Sequence, residues 1–266
     1  MKYFDIHSHL NFHEYDADPA KDGASREEVI NRLKETETYT IAVGTDFDSS
    51  EWAVRLAQEN ENIYACIGVH PVDNPTRIFE KEKFEELVKH PKVVAIGECG
   101  LDFFHLKKEE DFDRQKKLFL EQINFALAYD KPIMIHSRDA YEELLEILEP
   151  LKIEHGNKLR GDVHFFAGRL EIAKRFWKIG FTTSFTGVIT FARDYDEVIK
   201  NAPLGMIMSE TDAPFVAPVP YRGKHNEPSY VVEVVKKIAE IRGEDLEIVQ
   251  KAMVFNAQRL FGLDIA

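Results

Sequence analysis

Six side chains of the kinds that hold metal ions are spaced along the chain: His7, His9, Glu98, His136, His164 and Asp212. The first two are separated by one residue at the end of the apolar run 2–10, Lys-Tyr-Phe-Asp-Ile-His-Ser-His-Leu. In an extended strand, side chains at i and i+2 point to the same face. His7 and His9 therefore present two imidazoles side by side, which is how a metal site begins on one rigid element. A lone histidine in an apolar run is ordinarily a core residue with its ring satisfied, and a lone carboxylate ordinarily pairs with an arginine or a backbone amide. A carboxylate buried without a cation is costly, however, and a metal ion compensates it. Four imidazoles and two carboxylates exceed what one tetrahedral ion takes, which points to two ions bridged by a carboxylate. The nitrogen-rich set favours zinc, manganese, cobalt or iron over a magnesium site built from oxygen alone.

Such a set must be delivered to one place by the elements that carry it. Apolar, β-branched runs alternate with amphipathic ones along the chain, the signature of βα units. Strands are predicted at 2–10, 39–44, 63–69, 93–97, 132–135, 161–165, 181–185 and 204–209. Helices are predicted at 25–37, 49–58, 80–89, 111–129, up to about 148, through 177, at 194–200, and then at 229–241 and 245–261. Ser25 and Glu28 have the spacing of a capping box at the first of these. Eight strands, each followed by a helix, predict an α/β fold, a closed (β/α)8 TIM barrel in a single domain spanning 1–266. An open doubly wound sheet usually carries a Gly-rich phosphate fingerprint after its first strand, and none stands there. In a (β/α)8 barrel the active site lies at the C-terminal ends of the strands. Those ends carry His7 and His9 on the first, Glu98 on the fourth, His136 on the fifth, His164 on the sixth and Asp212 on the eighth, so all six converge on one mouth.

Composition bounds what enters that mouth. A formal net charge of −13 argues against wrapping duplex DNA, which relies on a broad basic surface. It leaves room for an enzyme that admits a strand end into a pocket, where a metal and a few local cations supply the attraction. No apolar run approaches the roughly 18 residues of a membrane span, and no basic region followed by an apolar stretch precedes the first strand. The two cysteines, Cys66 and Cys99, sit in apolar runs and read as buried, reduced thiols. The expectation is a cytoplasmic protein, monomeric, with no membrane partner.

The motifs around these residues resemble the TatD family of metal-dependent deoxyribonucleases. They are His7-Ser8-His9, Gly68-Val69-His70-Pro71, Gly97-Glu98-x-Gly100-Leu101-Asp102, His136-Ser137-Arg138, Val163-His164-Phe165 and Glu210-Thr211-Asp212-Ala213-Pro214. Arg222-Gly223-Lys224-x-Asn226-Glu227-Pro228 follows in family order, so the resemblance covers nearly the whole chain. Asn11 stands where an Asp is common, and Phe166-Ala167-Gly168 replaces a Phe-Ser-Gly-like turn; neither change touches a ligand position. The resemblance implies two divalent ions (zinc, manganese or magnesium), one held by His7, His9, Glu98 and Asp212 and the other by Glu98, His136 and His164. Glu98 would bridge them, and Asp212 would orient a water and accept its proton for attack on phosphorus in line with the leaving oxygen. The substrate implied is DNA, as a single strand or a strand end.

For substrate contacts the sequence offers His70, Arg138, Arg222, Lys224 and Asn226. Arg138 has a planar fork for a phosphate, unless Asp139 or Asp102 takes it as a salt bridge. The loop 218–226 is the most cationic at the predicted mouth and is read as a phosphate clamp. Phe103, Phe104 and Phe215 are positioned to stack on bases or simply to pack. His13, His90, His105 and His155 are read as surface residues, and Cys99 as facing away from Glu98. A second reading is an amidohydrolase-like enzyme acting on a small amide, lactone or phosphoester. Many such barrels bridge their ions with a carboxylated lysine on the fourth strand, where this chain has Glu98. A third is a metal-stabilised scaffold that binds a partner at its mouth.

Overall fold

The structure is a computed structural model and describes residues 1–16, 24–73, 76 and 78–264. Among these residues eight strands form one parallel sheet in sequential order: β1 (Tyr3–Ser8), β2 (Thr38–Val43), β3 (Ile63–Ile67), β4 (Val93–Asp102), β5 (Ile133–Arg138), β6 (Gly161–Val163), β7 (Thr182–Phe185) and β8 (Ile207–Ser209). The intervening helices are α1 (Arg26–Glu35), α2 (Phe47–Glu59), α3 (Lys81–Val88), α4 (Lys108–Ala128), α5 (Tyr141–His155), α6 (Leu170–Lys178) and α7 (Asp196–Asn201), with α8 (Val231–Arg242) and α9 (Leu246–Phe261) after the last strand. This is the predicted (β/α)8 barrel. No helix among the described residues is long and apolar enough to cross a membrane.

Between β8 and β1 the ring is completed by few backbone contacts. Ser8 and Ala213 form an isolated parallel bridge, His9 N donates to Ala213 O at 2.7 Å, and Asp212 N donates to His7 O at 2.9 Å. Side chains add to it: buried Asp5 accepts from the Thr211 amide at 2.9 Å and from its hydroxyl at 2.7 Å, and Ser209 Oγ donates to Phe4 O at 3.2 Å. The seam where the chain's first and last strands meet thus passes directly beneath His7, His9 and Asp212.

Local sequence accounts for several element ends. Ser25 and Glu28 form the predicted capping box on α1, and Asp46 with Ser49 forms another on α2, two residues ahead of the predicted start. The predicted end of the fourth strand at 97 is not observed, because β4 continues to Asp102. Gly97 and Gly100 are part of the ladder instead of its end. At Gly100 φ is +152° and an added Cβ would lie 2.0 Å from the His136 carbonyl oxygen, so only glycine lets β4 lie this close to β5. The β4–β5 register shifts between Ile96 and Cys99, around Glu98. α5 also passes the predicted stop and carries Pro150 inside it. Proline forfeits one helical hydrogen bond, and the last turn is tied down by Lys152 Nζ, which donates to Leu159 O at 2.8 Å.

Apolar side chains fill the space between sheet and helices, among them Leu33, Val54, Phe84, Phe119, Leu144, Phe176 and Val234. A smaller cluster joins Phe4, Ile6, Ile41, Val43, Cys66, Met134 and Met208 of the strands to Ala257 and Leu260 of α9. Burial of this kind, at about 25 cal/mol per Å² of apolar surface, keeps the strand ends rigid enough to hold a site.

Candidate metal centre

The six sequence-predicted groups come together at the C-terminal ends of the strands, around Glu98. Its side chain is 4% exposed, and its two oxygens face different neighbours. Oε2 lies 3.3 Å from His7 Nε2 and 3.6 Å from His9 Nε2. The two Nε2 atoms are 3.3 Å apart, and Asp212 Oδ1 is 3.8 Å from the first and 3.5 Å from the second. Oε1 lies 2.8 Å from His136 Nδ1 and 2.7 Å from His164 Nε2.

The first group fits a metal ion in chemistry and in spacing. Donors about 2.1 Å from a common tetrahedral centre lie about 3.4 Å from one another; the ligand atoms of His7, His9 and Glu98 are separated by 3.3–3.6 Å, and Asp212 Oδ1 stands at 3.5–3.8 Å from the two imidazole nitrogens. His9 Nδ1 is 3.0 Å from Val43 O, which leaves Nε2 as the atom turned to the centre. Burial lowers the pKa of His7, and the His164 ring stacked on it at 3.9 Å adds to this, so His7 is held as the neutral imidazole that ligation requires. The second group is drawn tightly onto Glu98 Oε1. For Glu98 burial alone would raise the pKa, but His164, His7 and His136 outweigh it and hold the carboxyl well below its usual range. For His136, likewise, burial is overcome by bonds to Asp102 and Glu98, and its pKa is raised.

The geometry of these side chains comes from conformations at the strand ends. Asp212 has φ of +55° and Phe165, next to His164, has φ of +46°. Both lie in the left-handed region that non-glycine residues seldom occupy, a conformation associated with functional turns. The Phe165 amide donates to Glu210 Oε1 at 2.5 Å, fixing the turn that carries His164.

Other predicted contacts fall in different surroundings. His70 is buried beside the second group, with Nε2 3.6 Å from Glu98 Oε1 and Nδ1 2.7 Å from Asp73. Arg138, Arg222 and Lys224 are exposed, and among the described residues neither Asp139 nor Asp102 forms a salt bridge with Arg138. Asn226 departs from the expectation of a substrate contact. It is fully buried, its amide donates to Thr211 O and Phe215 O at 2.9 and 2.5 Å, and its oxygen accepts from the Glu227 amide at 2.9 Å. With its amide spent on backbone, it clasps the loop after β8. Phe103 packs against the core, whereas Phe104 and Phe215 are exposed.

Three groups that the sequence did not tie to the histidines stand beside the site. Asp102 Oδ2 is 3.1 Å from His136 Nε2 and 2.7 Å from Nδ1 of His105, which is exposed as expected, so it orients His136 and also binds a surface histidine. Glu210 is fully buried behind His164, with Oε2 3.7 Å from its Nδ1. Asp5 is the seam carboxylate. Strand alternation offered a signal for two of them, because Asp5 precedes His7 by two residues and Asp102 follows Glu98 by four.

Comparison with known proteins agrees with this arrangement. The family model described as TatD related DNase matches residues 4–262. A relative from Bacillus subtilis (strain 168), the uncharacterized metal-dependent hydrolase YabD, is 41% identical over 98% of this chain and 99% of its own length. The uncharacterized metal-dependent hydrolase YcfH of Escherichia coli (strain K12) is 32% identical over 85% of this chain and 84% of its own. Among solved structures, the TatD homolog YJJV from Escherichia coli K12 superimposes with a TM-score of 0.87 at 28% identity, covering 98% of each chain. With a barrel whose strand ends gather histidines and carboxylates about one glutamate, and with likeness along almost its full length, the chain belongs to the TatD family of metal-dependent hydrolases.

Proposed function

We propose that this hydrolase is a phosphodiesterase acting on DNA, taking single strands or strand ends, with two divalent ions bridged by Glu98. The observation that carries the reading is the division of labour on Glu98: Oε2 faces His7 and His9, and Oε1 faces His136 and His164. His7, His9, Glu98 and Asp212 would hold one ion, and Glu98, His136 and His164 the other. When bound, such ions lower the pKa of a water and stabilise charge on a phosphoryl oxygen.

The chain's own residues supply the rest. Asp212 is the most open carboxylate of the set, with 14% of its side chain exposed, and its backbone is pinned by the amide bond to His7 O. It orients the attacking water and takes its proton at the carboxylate. His70 stands beside Glu98, within reach of a phosphate oxygen presented there. Arg138, Arg222 and Lys224 counter the overall negative charge at the mouth and guide the backbone in. We take the whole span 1–266 to act as one domain, as a monomer, in a reducing compartment such as the cytoplasm, where the two buried free thiols are stable.

The test is elemental analysis of the purified protein followed by assay on 5′- and 3′-labelled oligonucleotides with manganese or magnesium restored. Release of nucleotides that is lost in both His136→Ala and Glu98→Ala supports the reading. Activity that survives both substitutions sinks it. Turnover confined to a parallel panel of cyclic amides and lactones would transfer the site to small-molecule hydrolysis.

A further inference from the structure

Two exposed aromatic rings at the mouth each carry an arginine laid on one face. The Arg138 guanidinium lies 3.9 Å from the Phe104 ring centroid, and that of Arg222 lies 4.0 Å from Phe191. The rings are 60% and 41% exposed, which is unusual for phenylalanine unless a surface has a use for it. Their places in the barrel are set by the strands. Phe104 follows β4 and Arg138 ends β5, while Phe191 follows β7 and Arg222 lies in the loop after β8. The two pairs therefore stand on separate walls, three strands apart around a ring of eight.

The chemistry of each pair is specific. A guanidinium whose carbon sits about 4 Å over a ring is held by the ring's π face and keeps its planar fork of N–H donors for a phosphate. No carboxylate among the described residues forms a salt bridge with either arginine; Arg222 has only a bond to Ala217 O at 3.3 Å. The ring's exposed area offers a stacking surface that accepts any base. Both pairs are also held in register with the site. The Phe104 amide donates to Asp102 Oδ1 at 2.9 Å, the same carboxylate that orients His136. The 3-10 turn Gly187–Thr190 that leads into Phe191 is tied to the loop after β8 by the Val219 amide, which donates to Thr190 Oγ1 at 2.9 Å.

Resting on the phosphodiesterase reading, we propose that Phe104–Arg138 and Phe191–Arg222 are two nucleotide platforms. Each stacks one unpaired nucleobase on its ring and holds that nucleotide's phosphate on its guanidinium, one on either side of the bond to be cleaved. A base inside a duplex has both faces covered, so each platform takes a base that has left its stack.

The test is fluorescence anisotropy of the full chain in EDTA at low salt, with a labelled short oligothymidylate and an abasic strand of the same length. The wild type is expected to prefer the oligothymidylate. Phe104→Leu and Phe191→Leu each weaken binding of that probe by about 5- to 100-fold and leave abasic binding unchanged, and Phe104→Trp restores the preference. Arg138→Gln and Arg222→Gln weaken both probes and reduce the salt dependence. Leucine variants that bind both probes as the wild type does, or lose both equally, overturn the proposal. So does a wild type that binds neither. In that last case cleavage of oligothymidylate by the manganese-loaded wild type leaves the phosphodiesterase reading standing, and absence of cleavage removes both.

Discussion

Replacing Gly100 by alanine tests whether the close approach of β4 to β5 sets the site. A Cβ at Gly100 would lie 2.0 Å from the His136 carbonyl oxygen, and φ there is +152°. Contacts under about 3 Å to backbone are not tolerated, so one strand must move by about 1 Å or more. Gly243 provides the control, because it has φ of +64° at the end of α8 and nothing within 4 Å of an added Cβ. Alanine at Gly243 incurs only the cost of a left-handed conformation, about 1–2 kcal/mol. At Gly100 the unfavourable φ costs about 1–3 kcal/mol, and forcing backbone apart in a packed interior adds about 1–3 kcal/mol. The expected loss is thus about 2–6 kcal/mol, against the roughly 5–15 kcal/mol that stabilises an ordinary domain. Urea denaturation of both variants measures the difference. Elemental analysis then asks whether Gly100→Ala, with His136 displaced, keeps less metal than Gly243→Ala, and a displacement of this size is enough to cost about 100-fold in catalysis. A Gly100→Ala protein as stable and as metal-rich as Gly243→Ala would refute the reasoning.

Asp102→Asn replaces the carboxylate behind His136 and is expected to weaken metal binding by about 10- to 100-fold, measured by competition with a chromophoric chelator; unchanged affinity would remove Asp102 from the site. Thr211→Val deprives the buried Asp5 of a 2.7 Å hydrogen bond at the β1–β8 seam. The expected cost is about 1–3 kcal/mol, read from the urea midpoint, and a neutral result would show the seam does not depend on that hydroxyl. The Asp111 carboxyl, although partly desolvated, is lowered in pKa by bonds from Arg114 and Gln115, and Arg114 also donates to Pro71 O beside His70. A depressed folded value means the stabilisation is full above the ordinary aspartate range, near about 4, and fades as pH falls through the folded value. The stability gap between wild type and Asp111→Asn should therefore narrow on acidification, and a gap constant from neutral pH to pH about 3 would contradict it.

The parts of the fold that were legible in the sequence were those fixed by local periodicity. Two-residue alternation put His7 and His9 on one face, and eight apolar runs of the right length gave the barrel. Strand ends were harder to read. Glycine normally weakens a strand, yet Gly97 and Gly100 lie inside β4 because β5 presses against them, a contact between residues more than thirty positions apart. β6 stops at Val163, so His164 is carried by a turn rather than by the strand. The bonds of Asp102 to His136 and of Glu210 to the turn at Phe165 arise only when separate βα units meet. Asn226 looked like a member of a cationic loop, and nothing in its neighbours announced that its side chain would turn inward. Phe191 lay outside every motif, and its partner Arg222 is thirty-one residues further on.

The β1–β8 seam bears on how the protein is made. His7 and Asp212, which we assign to the same ion, are 205 residues apart, and the bonds that bring them together join the first strand to the last. A ribosome elongating at about 5–20 residues per second completes β1 to β7 well before it delivers Asp5 its partner Thr211. Until then the growing chain holds His7 and His9 without the carboxylate that completes their set. On that assignment, the first set is completed only when the segment after the eighth strand docks against the first. A chain cut short before that strand lacks both Thr211, the partner of Asp5, and Asp212, the carboxylate we assign beside His7 and His9, so it can form neither the seam nor the proposed set.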